Sequence, residues 1–137
     1  MRSLALAVLA LLTACVSTSE PRPMQIHYLE IVTPDVDQLC TTYAAANGLT
    51  FGDAVPELGN ARTAKLPNGG TVGVRAPMRA TEDPVVRPYF LVEDIEAAVA
   101  SAAANGAEIA MGPTPMPSGE LFAVYLQAGV QQGFWQR

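Results

Sequence analysis

Apolar and polar residues alternate along IHYLEIVT (residues 26–33), which predicts a strand. His27, Leu29 and Ile31 fall on one of its faces, and Tyr28, Glu30 and Val32 on the other. The period then lengthens. Val36, Leu39, Cys40 and Tyr43 recur at helical spacing, and Asp35 ahead of them suits the positive end of a helix dipole. Asn47-Gly48 ends that helix, because glycine takes the left-handed terminal conformation cheaply. Short strands are predicted at about 49–54, 61–66 and 71–76, with Pro67-Asn68-Gly69-Gly70 turning between the last two.

The same order then recurs. After a polar loop at 78–84, VRPYFLV (86–92) alternates as a strand, and Glu93-Asp94 opens a second helix. Ile95, Ala98, Val99 and Ala102 form its apolar stripe, Asn105-Gly106 closes it, and strands follow at 107–111, 120–128 and 131–136. Gly129-Val130 is read as the turn between the last two. The pentapeptide AAANG ends both helices, at 44–48 and 102–106. One such match is cheap in an alanine-rich chain. Two complete strand–helix–three-strand units in succession are not, and they point to duplication.

The chain has 137 residues, half of them hydrophobic and 15% charged, which suits one globular domain. A net charge of −5, with eight scattered basic residues of which one is a lysine, argues against a nucleic-acid partner. The start of the chain reads differently. Met1-Arg2-Ser3 precedes LALAVLALLTA (4–14), an apolar run too short to span a bilayer and typical of a signal-peptide core. It ends in LTAC (12–15), which resembles the lipobox of bacterial lipoproteins. That resemblance implies cleavage before Cys15, acylation there and anchorage in the cell envelope. By resemblance to the enterobacterial sorting pattern, Val16 rather than aspartate after the cysteine leans towards the outer membrane, facing the periplasm. Residues 15–23 then serve as a lipidated polar tether, with the folded domain at 24–137. With Cys15 acylated, Cys40 has no partner for an intramolecular disulfide; it is expected to be a small buried hydrophobe without a local cation.

The tandem βαβββ order, PYFLVEDIEAAVASAAANGAEI (88–109), GPTPMPSG (112–119) and the ending FAVYLQAGVQQGFWQ (122–136) resemble the vicinal oxygen chelate superfamily. That superfamily includes glyoxalases, bleomycin-resistance proteins and extradiol dioxygenases. In the first half, EIVTPDVDQLCTTYAAANGLTF (30–51) is similar to its strand and helix. The resemblance implies an α+β fold: two modules, about 24–77 and 85–137, forming a cupped, barrel-like mixed sheet with helices outside. It implies a ligand or metal on the concave side, and a possible homodimer.

Metal-dependent members hold a divalent ion with His and Glu side chains from key strands, leaving positions open to substrate. By the resemblance, the four stations fall at Tyr28, within 71–75 (TVGVR), at Arg87 and at Gly133. None offers an imidazole or a carboxylate. No metal or other cofactor and no catalytic residue is therefore assigned. His27, the only histidine, lies one residue out of register, and simple alternation turns it away from the cup towards the surface or a helix; a bulge would be needed to bring it in.

Alternation directs Tyr28, Glu30, Arg87, Tyr89, Gln131 and Trp135 into the cup as candidate ligand-binding residues. Glu30 and Arg87 are expected to pair, and the guanidinium could hold a ligand carboxylate. The expected function is a lipid-anchored protein that binds a small molecule without catalysis. The alternative is a divergent metal-dependent lyase or dioxygenase-like enzyme.

Overall fold

The computed structural model describes residues 24–137. The leader, Cys15 and the tether lie outside the described residues. The first module comprises β1 (Ile26–Val32), α1 (Val36–Asn47), β2 (Ala54–Val55), a 3₁₀ turn at Pro56–Leu58, β3 (Ala61–Lys65) and β4 (Thr71–Arg75). The second comprises β5 (Val85–Leu91), α2 (Ile95–Ala104), β6 (Glu108–Pro115), β7 (Leu121–Gln127) and β8 (Val130–Gln136).

All eight strands join one open mixed sheet, in the order β2-β3-β4-β1-β5-β8-β7-β6. Within each module the first strand runs parallel to the last, β1 beside β4 and β5 beside β8. The modules meet where β1 and β5 pair antiparallel, with Tyr28 opposite Tyr89 and Glu30 opposite Arg87. A pseudo-twofold axis through that seam exchanges the two halves. The sheet curves into the expected cup.

The alternation of β1 decides what lies on each side. Leu29 and Ile31 turn outwards with Val72, Val74 and Ala64, and Cys40, Leu39 and Tyr43 of α1 close over them. Tyr28, Tyr89 and Trp135 form a second cluster on the concave side. Ile95 of α2, 1% exposed, anchors the other helix. Among the described residues no helix is long and apolar enough to cross a membrane.

Both AAANG copies end their helices through a glycine at positive φ, 64° at Gly48 and 87° at Gly106. The N-termini differ. Asp94 accepts a bond from the Ala97 amide at 3.0 Å, whereas the Asp35 side chain makes no cap and its own amide donates to Thr33 Oγ1 at 3.1 Å.

Three local expectations fail. The strand expected at 49–54 is not formed: β2 is two residues long. Leu49 and Phe51 are drawn onto the α1 core cluster, and ahead of β2 the Gly52 amide pairs with the Thr63 carbonyl at 2.9 Å. Conversely, β6 runs to Pro115, through residues assigned to a loop; it is the edge strand, where proline removes no ladder bond that a neighbour needs, and its register slips twice. The last hairpin turns at Ala128-Gly129, one residue earlier than expected. Both residues have positive φ, 50° and 79°, the geometry of a two-residue hairpin loop.

Candidate functional site

The concave face is floored by charge and walled by rings. Glu30, on β1 at the seam, accepts from Arg75 Nε at 2.6 Å, from Arg87 Nη1, and from the Tyr89 hydroxyl at 3.2 Å. Arg75 also donates to Glu82, through Nη1 at 2.9 Å and Nη2 at 2.6 Å, and to the Ala76 carbonyl at 3.1 Å. Arg87 donates to Gln131 Oε1 through Nε, at 3.1 Å, and through Nη2. Every guanidinium nitrogen of both arginines thus has a protein acceptor. Glu30, Arg75 and Arg87 are 6%, 3% and 8% exposed, so the chain carries ions in its interior that only this network compensates.

The charges perturb one another. The Arg75 guanidinium, helped by the Met78 amide, holds the Glu82 carboxyl down at about 2 against the burial that opposes it. The same bond to Glu82 raises Arg75 above the usual guanidinium range. Burial, reinforced by the charge of Glu30, raises the Tyr28 and Tyr89 phenols far above their ordinary value. Both remain hydrogen-bond donors at any physiological pH.

Two glycines make room for those phenols. Gly73 on β4 lies beside Glu30, and Gly133 on β8 lies beside Tyr89. A Cβ at Gly73 would collide with the Tyr28 hydroxyl, and one at Gly133 with the Tyr89 ring. The pseudo-twofold thus relates two tyrosine-over-glycine pairs. Tyr28, Tyr89 and Trp135 lean on one another at tilts of 47° to 88°, with centroids 5.5–6.0 Å apart.

Beside the rings lies an inner chamber of about 90 Å³. The rings of Tyr28, Tyr89, Trp135 and Phe122 line it with Leu58, Met78 and Met116, and Glu30 and Glu57 are also in the lining. A wider mouth of about 420 Å³, edged by His27, Lys65, Glu120 and Arg137, adjoins it and shares Leu58, Met116 and Trp135 with its lining. Trp135 Nε1 donates to Glu120 at 3.3 Å in this mouth.

Of the six residues directed into the cup by alternation, Tyr28, Glu30, Tyr89 and Trp135 line the chamber. Arg87 and Gln131 are outside its lining, bonded to each other, with Arg87 also bonded to Glu30. The expected Glu30–Arg87 pair is present. A ligand carboxylate on Arg87 is not supported, because its nitrogens are engaged and acidic oxygens intervene. His27 is a correction. A register irregularity between Ile26 and Tyr28 makes it the extra residue of a bulge and brings it to the mouth, its ring 5.4 Å from that of Trp135. Burial outweighs Glu120 and lowers its pKa. Cys40 does have a cation near it, Arg62, but burial prevails and pushes the thiol up.

Arg75 and Glu82 were missed by the sequence reading. Arg75 shares the concave parity of Gly73, two residues away on β4, so alternation alone could have found it. Glu82 sits in an irregular loop and carries no such signal.

These residues do not fit a divalent ion. Two stations of the resemblance are Tyr28 and Arg87, and the glycines on β4 and β8 are covered by tyrosine rings. Among the described residues no three His, Cys, Asp or Glu side chains converge. What the arrangement offers is a small, partly open chamber walled by aromatic rings, with Glu30 and Glu57 in its lining.

A family model described as the Glyoxalase/Bleomycin resistance protein/Dioxygenase superfamily matches residues 25–131. No curated protein matches the chain significantly. Among solved structures, a hypothetical protein from Bacillus halodurans is similar, with a TM-score of 0.68 at 14% identity over 85% of this chain and 96% of that one. A Streptomyces coelicolor methylmalonyl-CoA epimerase variant in complex with 2-nitronate-propionyl-CoA has a TM-score of 0.58 at 20% identity, covering 81% and 95%. The Mycobacterium tuberculosis methylmalonyl-CoA epimerase has a TM-score of 0.61 at 13% identity, covering 81% and 86%. At these identities the likeness is one of fold.

Proposed function

Starting from the fact that the chain belongs to the glyoxalase/bleomycin resistance protein/dioxygenase superfamily, we propose that it is a lipid-anchored envelope protein whose cup binds a small molecule without transforming it. One observation carries this reading. The floor of the cup, where metal-dependent relatives would hold their ion, is filled by the Arg75–Glu30–Arg87 network, and an apolar chamber stands open beside it. Arginines so engaged make poor acids and bases, and both phenols stay protonated. Among the described residues no Ser, Thr, Cys, Lys or His side chain lines the chamber, and the Glu30 carboxylate is held by both arginines. Binding is the chemistry left to such a wall of rings.

The anchor rests on LTAC and the polar tether that follows. Two or more acyl chains on Cys15 would hold the domain at a membrane surface, at ~0.8 kcal/mol per buried methylene. The outer membrane, facing the periplasm, is the proposed location. Labelled palmitate should enter the chain in a bacterial host and be lost from Cys15→Ala. A homodimer formed by module pairing belongs to the same proposal, and light scattering decides it.

Ligand binding is tested by native mass spectrometry and thermal-shift screening of the purified chain against metabolite and drug collections. A screen without a single stabilising compound removes the reading. The enzyme alternative has one observation in its favour: solved neighbours carry the name methylmalonyl-CoA epimerase. It requires one equivalent of a divalent metal in protein purified from a metal-replete host. Metal-free protein that cannot be reconstituted excludes it.

A further inference from the structure

Arg75, 3% exposed, bonds with two carboxylates at once. Its Nε donates to Glu30 on β1 at 2.6 Å, and its Nη1 and Nη2 donate to Glu82 at 2.9 and 2.6 Å. Glu82 belongs to the loop at 76–84, which contains no strand or helix. Its Oε2 also accepts from the Met78 amide at 2.7 Å, and its own amide donates to the Arg79 carbonyl at 3.0 Å. Residues 78–82 are thereby closed into a turn and tied to the floor of the cup. That turn contributes Met78 to the chamber lining. We infer that Met78 is the adjustable wall of the chamber and sets the size of apolar group that enters, and that Glu82 is the residue that positions it. This deepens the binding reading above and rests on it.

Met78 differs from the rest of the lining. Tyr28, Glu30, Tyr89 and Trp135 are each 6% exposed or less, held by one another and by the network beneath them. Met78 is 64% exposed and lies in no strand. Its unbranched thioether side chain is adaptable, and exposed side chains change rotamer within nanoseconds. A Cβ at Gly59, another lining residue, would collide with the Met78 methyl and crowd Arg75 Cδ at 3.1 Å. The methyl thus occupies the space that a side chain at 59 would fill. Swinging it off Gly59 gives that space to the chamber, while the Glu82 bonds keep the loop in place.

Room is what the chamber lacks. At about 90 Å³ it is smaller than a cavity of about 150 Å³ that accepts benzene. With Met78 against Gly59 it takes a short aliphatic group; a ring enters only when Met78 moves aside.

NMR titrations of the purified chain, isotope-labelled at its methionine methyl groups, test this with benzene and isopropylbenzene. Benzene should shift the Met78 methyl signal, identified by its loss from Met78→Ala, and leave that of Met111 on the edge strand unmoved. Met78→Ala should raise the preference for isopropylbenzene over benzene at least ~4-fold, the gain from housing one further methyl group. Glu82→Ala frees the loop and should move the preference the same way. Glu82→Gln still offers an oxygen to the Met78 amide and should stay nearer the parent. A merely structural role for Glu82 would lower the melting temperature and leave that preference alone. Probes bound by Met78→Ala and not by the parent support the inference. Bound benzene with an unmoved Met78 methyl, or a Met78→Ala preference equal to the parent's, overturns it and leaves the binding reading intact. An unchanged preference in Glu82→Ala overturns the role of Glu82. Silence from both probes in the parent and in Met78→Ala overturns the inference, and silence in the broader screen as well removes the binding reading beneath it.

Discussion

Replacing Glu30 with glutamine keeps the shape of the side chain and removes the central charge of the floor. Arg75 would retain Glu82, which it holds at 2.9 and 2.6 Å. Arg87, 8% exposed, would retain only the neutral Gln131. One buried cation is therefore left without a counter-ion, a change that costs about 3–5 kcal/mol. The amide still accepts one hydrogen bond, which favours the lower end of that range. Domains of about 100 residues lose roughly 4–8 °C of melting temperature per kcal/mol, so the midpoint should fall by about 12 °C or more. Such a loss is a large share of an ordinary domain's total stability. Thermal and urea unfolding at neutral pH, followed by far-ultraviolet circular dichroism, measure it. The paired replacement Glu30→Leu with Arg87→Met should recover most of the loss, because a buried ion pair exchanged for well-packed apolar groups is close to neutral. A Glu30→Gln midpoint within about 3 °C of the parent would refute the reasoning: the network would then not be what holds the floor.

Gly73→Ala and Gly133→Ala should each destabilise by about 1–3 kcal/mol through overpacking against Tyr28 and Tyr89, while Gly112→Ala, with nothing within 4 Å of its added carbon, should do so far less; urea midpoints rank the three. Glu82 has a folded pKa of about 2 against an ordinary 4.5, so its contribution is full above 4.5 and disappears as pH falls through about 2. Unfolding midpoints measured across that window should drop in the parent and stay flatter in Glu82→Gln; parallel curves would count against the Arg75–Glu82 bond. His27 should titrate below 6.5 by NMR, because burial disfavours its charged form more than Glu120 favours it. Its contribution is present above 6.5 and is lost as pH falls towards the folded value; a midpoint above 6.5 contradicts the placement of its ring against Trp135.

Sequence and structure agree where local chemistry decides. The alternation of residues 26–32, the helical stripe through Leu39, Cys40 and Tyr43, and the Asn-Gly stops need no distant partner to be read. They carry the module order and hence the cup. Residues 49–54 have the composition of a strand, yet Leu49 and Phe51 serve the core under α1 instead. Packing overrides propensity there. The proline-bearing stretch at 112–115 reads locally as a loop and becomes an edge strand, because only its neighbour in the sheet supplies the pairing.

The site divides along the same line. Four of the six candidate residues line the chamber because strand parity is a property of the chain itself. Parity names a face and no more. That Arg75 shares Glu30 with Arg87, that both guanidinium groups are spent inside the protein, and that the Tyr28 hydroxyl has no partner are facts of tertiary contact. Residue 30 meets residues 75, 87 and 89 only when β4 and β5 flank β1. The bulge that turns His27 into the mouth likewise depends on its pairing with β5. Periodicity and turn chemistry, acting over a few residues, determine the duplicated cup; the electrostatics and room inside it come from side chains dozens of residues apart, and only the closed fold brings them into range.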